Sequence, residues 1–123
     1  MSLSDIVYEG SCFRIAWATT RSGRKPASEF FDGLSAQNQA RLLVLFELLA
    51  DKGRISNLEH FRKIAGTECF EFKRGQIRMP CFFYSRKTVM VTHGFIKKSG
   101  KTPPREIGRA LRIRQEHIER KGR

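Results

Sequence analysis

The residues of this chain best suited to chemistry are a histidine, a glycine and three lysines at close spacing: His93, Gly94, Lys97, Lys98 and Lys101. The lysines supply cations, the glycine lets a backbone or a ligand approach closely, and Thr102-Pro103 reads as an N-cap and first-turn proline opening a helix. A strand end and a helix start would then meet at one cationic spot, which suits phosphate and, in a basic chain, a polyanion. A second set lies upstream. In the run Cys69 to Lys73, Phe70 and Phe72 alternate with Glu71 and Lys73; in Ile77 to Tyr84, the row Met79, Cys81, Phe83 alternates with Arg78, Pro80, Phe82 and Tyr84. Paired as a hairpin through Arg74-Gly75-Gln76, these runs would gather Glu71, Lys73, Arg78 and Tyr84 on one helix-free face, with His93 and the lysines at its rim. Plainer roles stand beside these: an exposed cross-strand ion pair at Glu71 contributes only ~0–1 kcal/mol, Tyr84 can cap a sheet edge, and a lone histidine at a strand end can be structural.

The elements that would position these groups follow from periodicity. Ser11 to Ala18 reads as a first strand, Pro26 as the first turn of a short helix reaching Leu34, and Ser35 as the cap of a longer helix that ends at Gly53. Strands follow at Cys69–Lys73, Ile77–Tyr84 and Thr88–Ile96, then a helix from Thr102 in which Ile107, Ala110, Leu111 and Ile118 form a narrow apolar stripe. Pro80 interrupts the middle strand and implies an edge, a bulge or an outward-facing amide. The order β-α-α-β-β-β-α predicts a single α+β domain over residues 1–123, with two helices of the N-terminal half on one face of a small, mostly antiparallel sheet.

Composition narrows the partners. A net charge of +12 and a pI near 10.4 point to nucleic acid or an anionic membrane surface. Residues 1–60 hold seven Lys/Arg against seven Asp/Glu, so of the 24 and 12 in the whole chain, seventeen against five fall in residues 61–123. All the excess charge lies in the half that carries the cationic residues. Met1 to Gly10 contains Asp5 and Glu9 and lacks an apolar signal-peptide core, and no run reaches the ~18 apolar residues of a membrane span, so a cytoplasmic protein without a membrane partner is expected. Cys12, Cys69 and Cys81 read as buried strand thiols, and with His60, His93 and His117 they show no ligand spacing; neither a metal nor another cofactor is expected.

Several of these segments resemble a known family, the phage-derived HigB-like branch of the RelE/ParE toxins of bacterial type II toxin–antitoxin pairs. The likeness runs through Pro26, Glu29-Phe30-Phe31 and Leu34, the Gln39 to Gly53 helix, Cys69-Phe70-Glu71-Phe72-Lys73 and the Arg78 strand. It is most specific at His93 to Lys98, Lys101-Thr102-Pro103, Glu106-Ile107 and Ala110. The resemblance implies a RelE-like fold and an endoribonuclease (an mRNA interferase) that inhibits translation by cutting mRNA, either dependent on the ribosome and translation or acting on free message. It also implies a cognate antitoxin, often with a helix-turn-helix. Such chemistry needs no metal: a 2′-hydroxyl attacks the adjacent phosphodiester, a base takes its proton, cations stabilise the phosphorane and an acid protonates the leaving 5′-oxygen. On this reading Arg78 is the main phosphate-stabilising residue, the base stays open between His93, Lys97 and Glu71, and the tyrosine function falls to Tyr84. Lys73, Arg74, Lys98, Lys101, Arg105 and Arg109 would bind RNA. Two other functions remain: a non-catalytic basic module that binds RNA or the ribosome, and a ParE-like gyrase inhibitor.

Overall fold

The computed structural model describes residues 5–85, 87–98 and 100–121, so Ser99 of the lysine-rich segment lies outside the described residues. The elements are β1 (Ile6–Glu9), β2 (Arg14–Trp17), α1 (Pro26–Asp32), α2 (Ala36–Lys52), β3 (Phe61–Lys63), β4 (Cys69–Arg74), β5 (Ile77–Tyr84), β6 (Thr88–Val91), β7 (Phe95–Ile96) and α3 (Pro104–Lys121). They form an α+β fold with one seven-stranded sheet in the order β1-β2-β6-β5-β4-β3, β7 pairing with β5. Every pairing is antiparallel except β2 with β6. Two short strands, β1 and β3, add to the expected order, and the single strand expected over Thr88–Ile96 is broken into β6 and β7 by the bulge between them.

Local chemistry sets the helix bounds. The Ser35 hydroxyl accepts the Asn38 N–H at 3.2 Å, and Gly53 ends α2 at φ 81°, a left-handed conformation that glycine adopts without a Cβ penalty. Helices α1 and α2 bury Phe31, Leu42, Phe46 and Leu49 against Trp17, Phe72, Met79 and Cys81 on one sheet face. Phe46 meets Phe72 edge-on with ring centroids 4.8 Å apart.

The other face is not helix-free. Helix α3 packs Ala110 and Ile113 on Ala16, Ala18, Cys69, Phe82 and Met90, the alanines leaving room for its close approach. A strand pattern shows which residues share a face, not which helix returns to cover it. The start of α3 also departs from expectation: it begins at Pro104, and the Thr102 hydroxyl donates to Glu71, with no helix N–H among the described residues bonded to it as a cap. Cys69 and Cys81 are buried strand thiols, whereas Cys12 is exposed in a connection.

Pro80 sits in a central strand, which its lack of an N–H would ordinarily forbid. Pairing changes from Cys81↔Val91 to Arg78↔Phe95, three residues along β5 against four on its neighbour, so an extra residue bulges within Thr92–Gly94. The Pro80 carbonyl accepts Thr92 N–H at 2.9 Å, and its amide position points to the same side, at the bulge where the ladder is already broken. Gly94 lies in this bulge because a Cβ there would come within 2.1 Å of the Phe30 ring of α1. The close approach expected at this glycine is made by the core.

Candidate functional site

Strands β3, β4 and β5 carry the cationic surface. Register sets Arg62 opposite Glu71, and Lys73 opposite Arg78. The β4–β5 hairpin thus brings together Glu71, Lys73 and Arg78, as the alternation had indicated. With Glu59, His60, Arg74 and Gly75, Lys73 and Arg78 line an open hollow of about 320 Å³. A neighbouring hollow of about 380 Å³ has Ile64, Ala65 and Ile107 in its lining and the cations Arg62, Lys63 and Lys101 beside Glu71 and Thr102. The two adjoin across the buried Glu71–Arg78 ion pair, whose Nε to Oε1 distance is 3.7 Å.

Arg78 is held firmly. Its Nη1 donates to the carbonyls of Gly75 at 2.6 Å and Ile77 at 2.9 Å, so the hairpin turn fixes the guanidinium. Burial pushes its pKa down while Glu71 pulls it back up, and an arginine at this depth still stays charged. Glu71 is 2% exposed and takes the Thr102 hydroxyl on both oxygens, at 3.1 and 3.0 Å, so it acts as the counter-charge of Arg78. Lys73 is half-buried, its Nζ donating to the Leu58 carbonyl at 3.1 Å. Desolvation lowers its pKa, helped by the positive charges of Arg62, Arg78 and Lys97. Four cations therefore act on one another around one groove.

Other expected residues lie elsewhere. Tyr84 pairs with Thr88, six residues along β5 from Arg78, about 20 Å at strand spacing, and its ring stacks edge-on against His117 of α3 at 5.2 Å. The face was read correctly, but distance along the strand separates Tyr84 from Glu71 and Arg78. His93 has no exposed surface: its Nε2 lies 3.1 Å from Glu106 and its Nδ1 3.0 Å from the Thr92 hydroxyl. It is enclosed in the bulge instead of standing at the rim. Burial, then the positive Arg109, push its pKa down from 6.5 to about 4, against the pull of Glu106. Lys97 is half-buried beside the groove, its N–H donating to the Gln76 carbonyl at 2.7 Å, while Lys98 is exposed. Arg105 is exposed at the start of α3 and Arg109 half-buried one turn on.

Sequence reasoning passed over Glu59, His60 and Arg62. Their signal is the alternation His60, Phe61, Arg62, in which the 7% exposed Phe61 faces the helical core and its neighbours face the groove, but a three-residue strand is too short to show a period. Among the described residues no three His, Cys, Asp or Glu side chains cluster as metal ligands, and no helix is long and apolar enough to cross a membrane.

A groove rich in fixed cations, with a carboxylate and an imidazole in its wall, can bind a phosphodiester and move protons at it. No curated protein matches the chain significantly. The model of the phage-derived Gp49-like proteins matches residues 29–115, from α1 through the groove strands to most of α3. That span is well over half of the 123 residues, and the chain belongs to this Gp49-like family, a toxin-like family of the RelE/HigB type.

Proposed function

We propose that this protein is the toxin of a type II toxin–antitoxin pair, of the HigB-like branch, and an endoribonuclease that cuts mRNA during translation. The observation that carries the reading is the convergence of Lys73, Arg74 and Arg78 with Glu59 and His60 in one groove of a chain with net charge +12. RNA brings its own nucleophile. Its 2′-oxygen attacks the neighbouring phosphorus, the bond to the 5′-oxygen breaks, and the products carry a 2′,3′-cyclic phosphate and a 5′-hydroxyl. Arg78, pre-set by the hairpin carbonyls, offers directional donors to the phosphorane; Lys73 and Arg74 add charge, and Lys97 strengthens the local field. Lys98, Lys101, Arg105 and Arg109 extend the cationic track for flanking phosphates. Glu71 and His93 support the site from within the fold, whereas Tyr84 packs on His117 away from it. The partners on this reading are mRNA, the ribosome and an antitoxin, helix-turn-helix in type, that covers the groove; the place of action is the cytoplasm.

Expression in bacteria tests it. The wild type should arrest growth and fragment messages, whereas Lys73→Ala and Arg78→Lys, the latter keeping the charge without the fork, should relieve both. Equal growth and intact messages in all three cultures would overturn the proposal. One observation favours the non-catalytic binding module: Glu71 and His93, two groups that could serve as bases, are sealed from solvent at 2% and 0% exposure. That module would bind RNA with the same salt dependence and leave it uncut.

A further inference from the structure

We propose that His60 is the general base of the groove, an imidazole set in the same wall as Lys73, Arg74 and Arg78; this rests on the endoribonuclease reading. Of the three histidines, His93 is 0% and His117 2% exposed, and His117 uses its Nδ1 to accept the Thr19 N–H at 3.0 Å. His60 alone lines a hollow open to solvent. Its backbone is pinned on both sides, the N–H donating to the Asn57 carbonyl at 2.9 Å and the carbonyl accepting the Lys73 N–H at 2.8 Å. The imidazole is therefore carried next to Lys73 by a strand-like pair and not by a free loop.

The remaining groups in the wall narrow the roles. Lys73, Arg74 and Arg78 donate hydrogen bonds but accept none in their charged forms. Gly75 offers no side chain, and Glu71 is committed to Thr102 and Arg78. Proton acceptors are thus His60 and Glu59. An imidazole is a stronger base than a carboxylate, which makes it the better match for a hydroxyl nucleophile.

The step balances as follows. The 2′-hydroxyl proton passes to an imidazole nitrogen of His60 as the 2′-oxygen bonds to phosphorus. The bond from phosphorus to the 5′-oxygen then breaks, and that oxygen takes a proton from the Lys73 ammonium. Both residues reset by exchanging one proton each with water. Lys73 suits the donor role because desolvation and the neighbouring cations already weaken its hold on the proton. The charged groups that share the hollow with His60 are Glu59 from its own turn, Lys73 and Arg74 from β4 and Arg78 from β5, with Arg62 of β3 in the adjoining hollow.

The test compares wild type, His60→Gln, Glu59→Gln and Lys73→Arg in single-turnover cleavage of an mRNA bound to ribosomes, with RNA affinity measured alongside. His60→Gln should slow cleavage by about 10²–10⁴-fold, keep RNA affinity within about twofold and lose the acid limb of the pH–rate profile. Replacing the scissile 5′-oxygen by sulfur, a leaving group that needs no acid, should restore Lys73→Arg and leave His60→Gln slow. A His60→Gln rate within about threefold of wild type, with the same acid limb, overturns the assignment while the ribonuclease reading stands. So does a loss in Glu59→Gln alone, or rescue of His60→Gln by the sulfur substrate. Wild type that leaves the message uncut overturns both.

Discussion

Acidification should attack this fold through His93. The imidazole is fully buried, and its pKa falls from 6.5 to about 4 on folding, so the unfolded chain takes up a proton that the native chain refuses. Stability from this group is complete above about pH 6.5 and is lost as pH falls through that value toward 4. Integrating over the two pKa values, the loss between pH 7.5 and pH 4.5 is about 2.5 kcal/mol. Carboxylates titrate over the same range, so the measurement is a difference. Urea unfolding of wild type and His93→Gln at the two pH values isolates the imidazole, since glutamine can take the Thr92 and Glu106 hydrogen bonds but cannot be protonated. His93→Gln should start less stable at pH 7.5 and lose about 2.5 kcal/mol less than wild type on acidification. Parallel losses in the two proteins would refute the claim that a neutral, buried His93 underlies the bulge beneath α3.

Three further outcomes follow from the same geometry. Gly94→Ala forces a methyl group to within 2.1 Å of the Phe30 ring and should destabilise by about 3 kcal/mol, measured by urea unfolding, with Phe30→Leu recovering part of it. Lys73→Gln and Arg74→Gln should each reduce the slope of log RNA affinity against log salt by about 0.7, whereas Lys52→Gln, at the end of α2 beside the β1–β2 edge of the sheet, should leave it unchanged. Tyr84→Phe should leave cleavage within about twofold of wild type, because Tyr84 stacks on His117 far from the groove; a large loss would place the chemistry at the other end of β5.

The parts of the fold visible in the sequence are those whose local chemistry is self-sufficient. Ser35 and Gly53 bracket α2 with a cap and a left-handed stop, and the period-two rows of β4 and β5 put Lys73 and Arg78 on one face before any tertiary contact is known, although the tighter turn that pairs Arg74 with Ile77 sets the register. Strands β1 and β3, of four and three residues, exist because neighbours complete them, and so leave no period of their own. His60 was hidden for that reason. Alternation also places Glu71 and Tyr84 on a common face while saying nothing of depth or distance: α3 folds back over that face, Thr102 reaches Glu71, and six residues of strand carry Tyr84 away. His93 stands in a motif that resembles a site, yet the bulge opposite Pro80 turns it inward.

The chemistry of the RNA ends tests the central claim most directly. A purified translation reaction is given the wild-type protein or Arg78→Lys, and the 3′ ends of the message are mapped. Wild type should yield fragments ending in a 2′,3′-cyclic phosphate with 5′-hydroxyl partners, and Arg78→Lys should yield far fewer at equal folded concentration. A message that remains intact, or fragments ending in a 3′-hydroxyl, would contradict cleavage by 2′-oxygen attack in the Lys73–Arg78 groove.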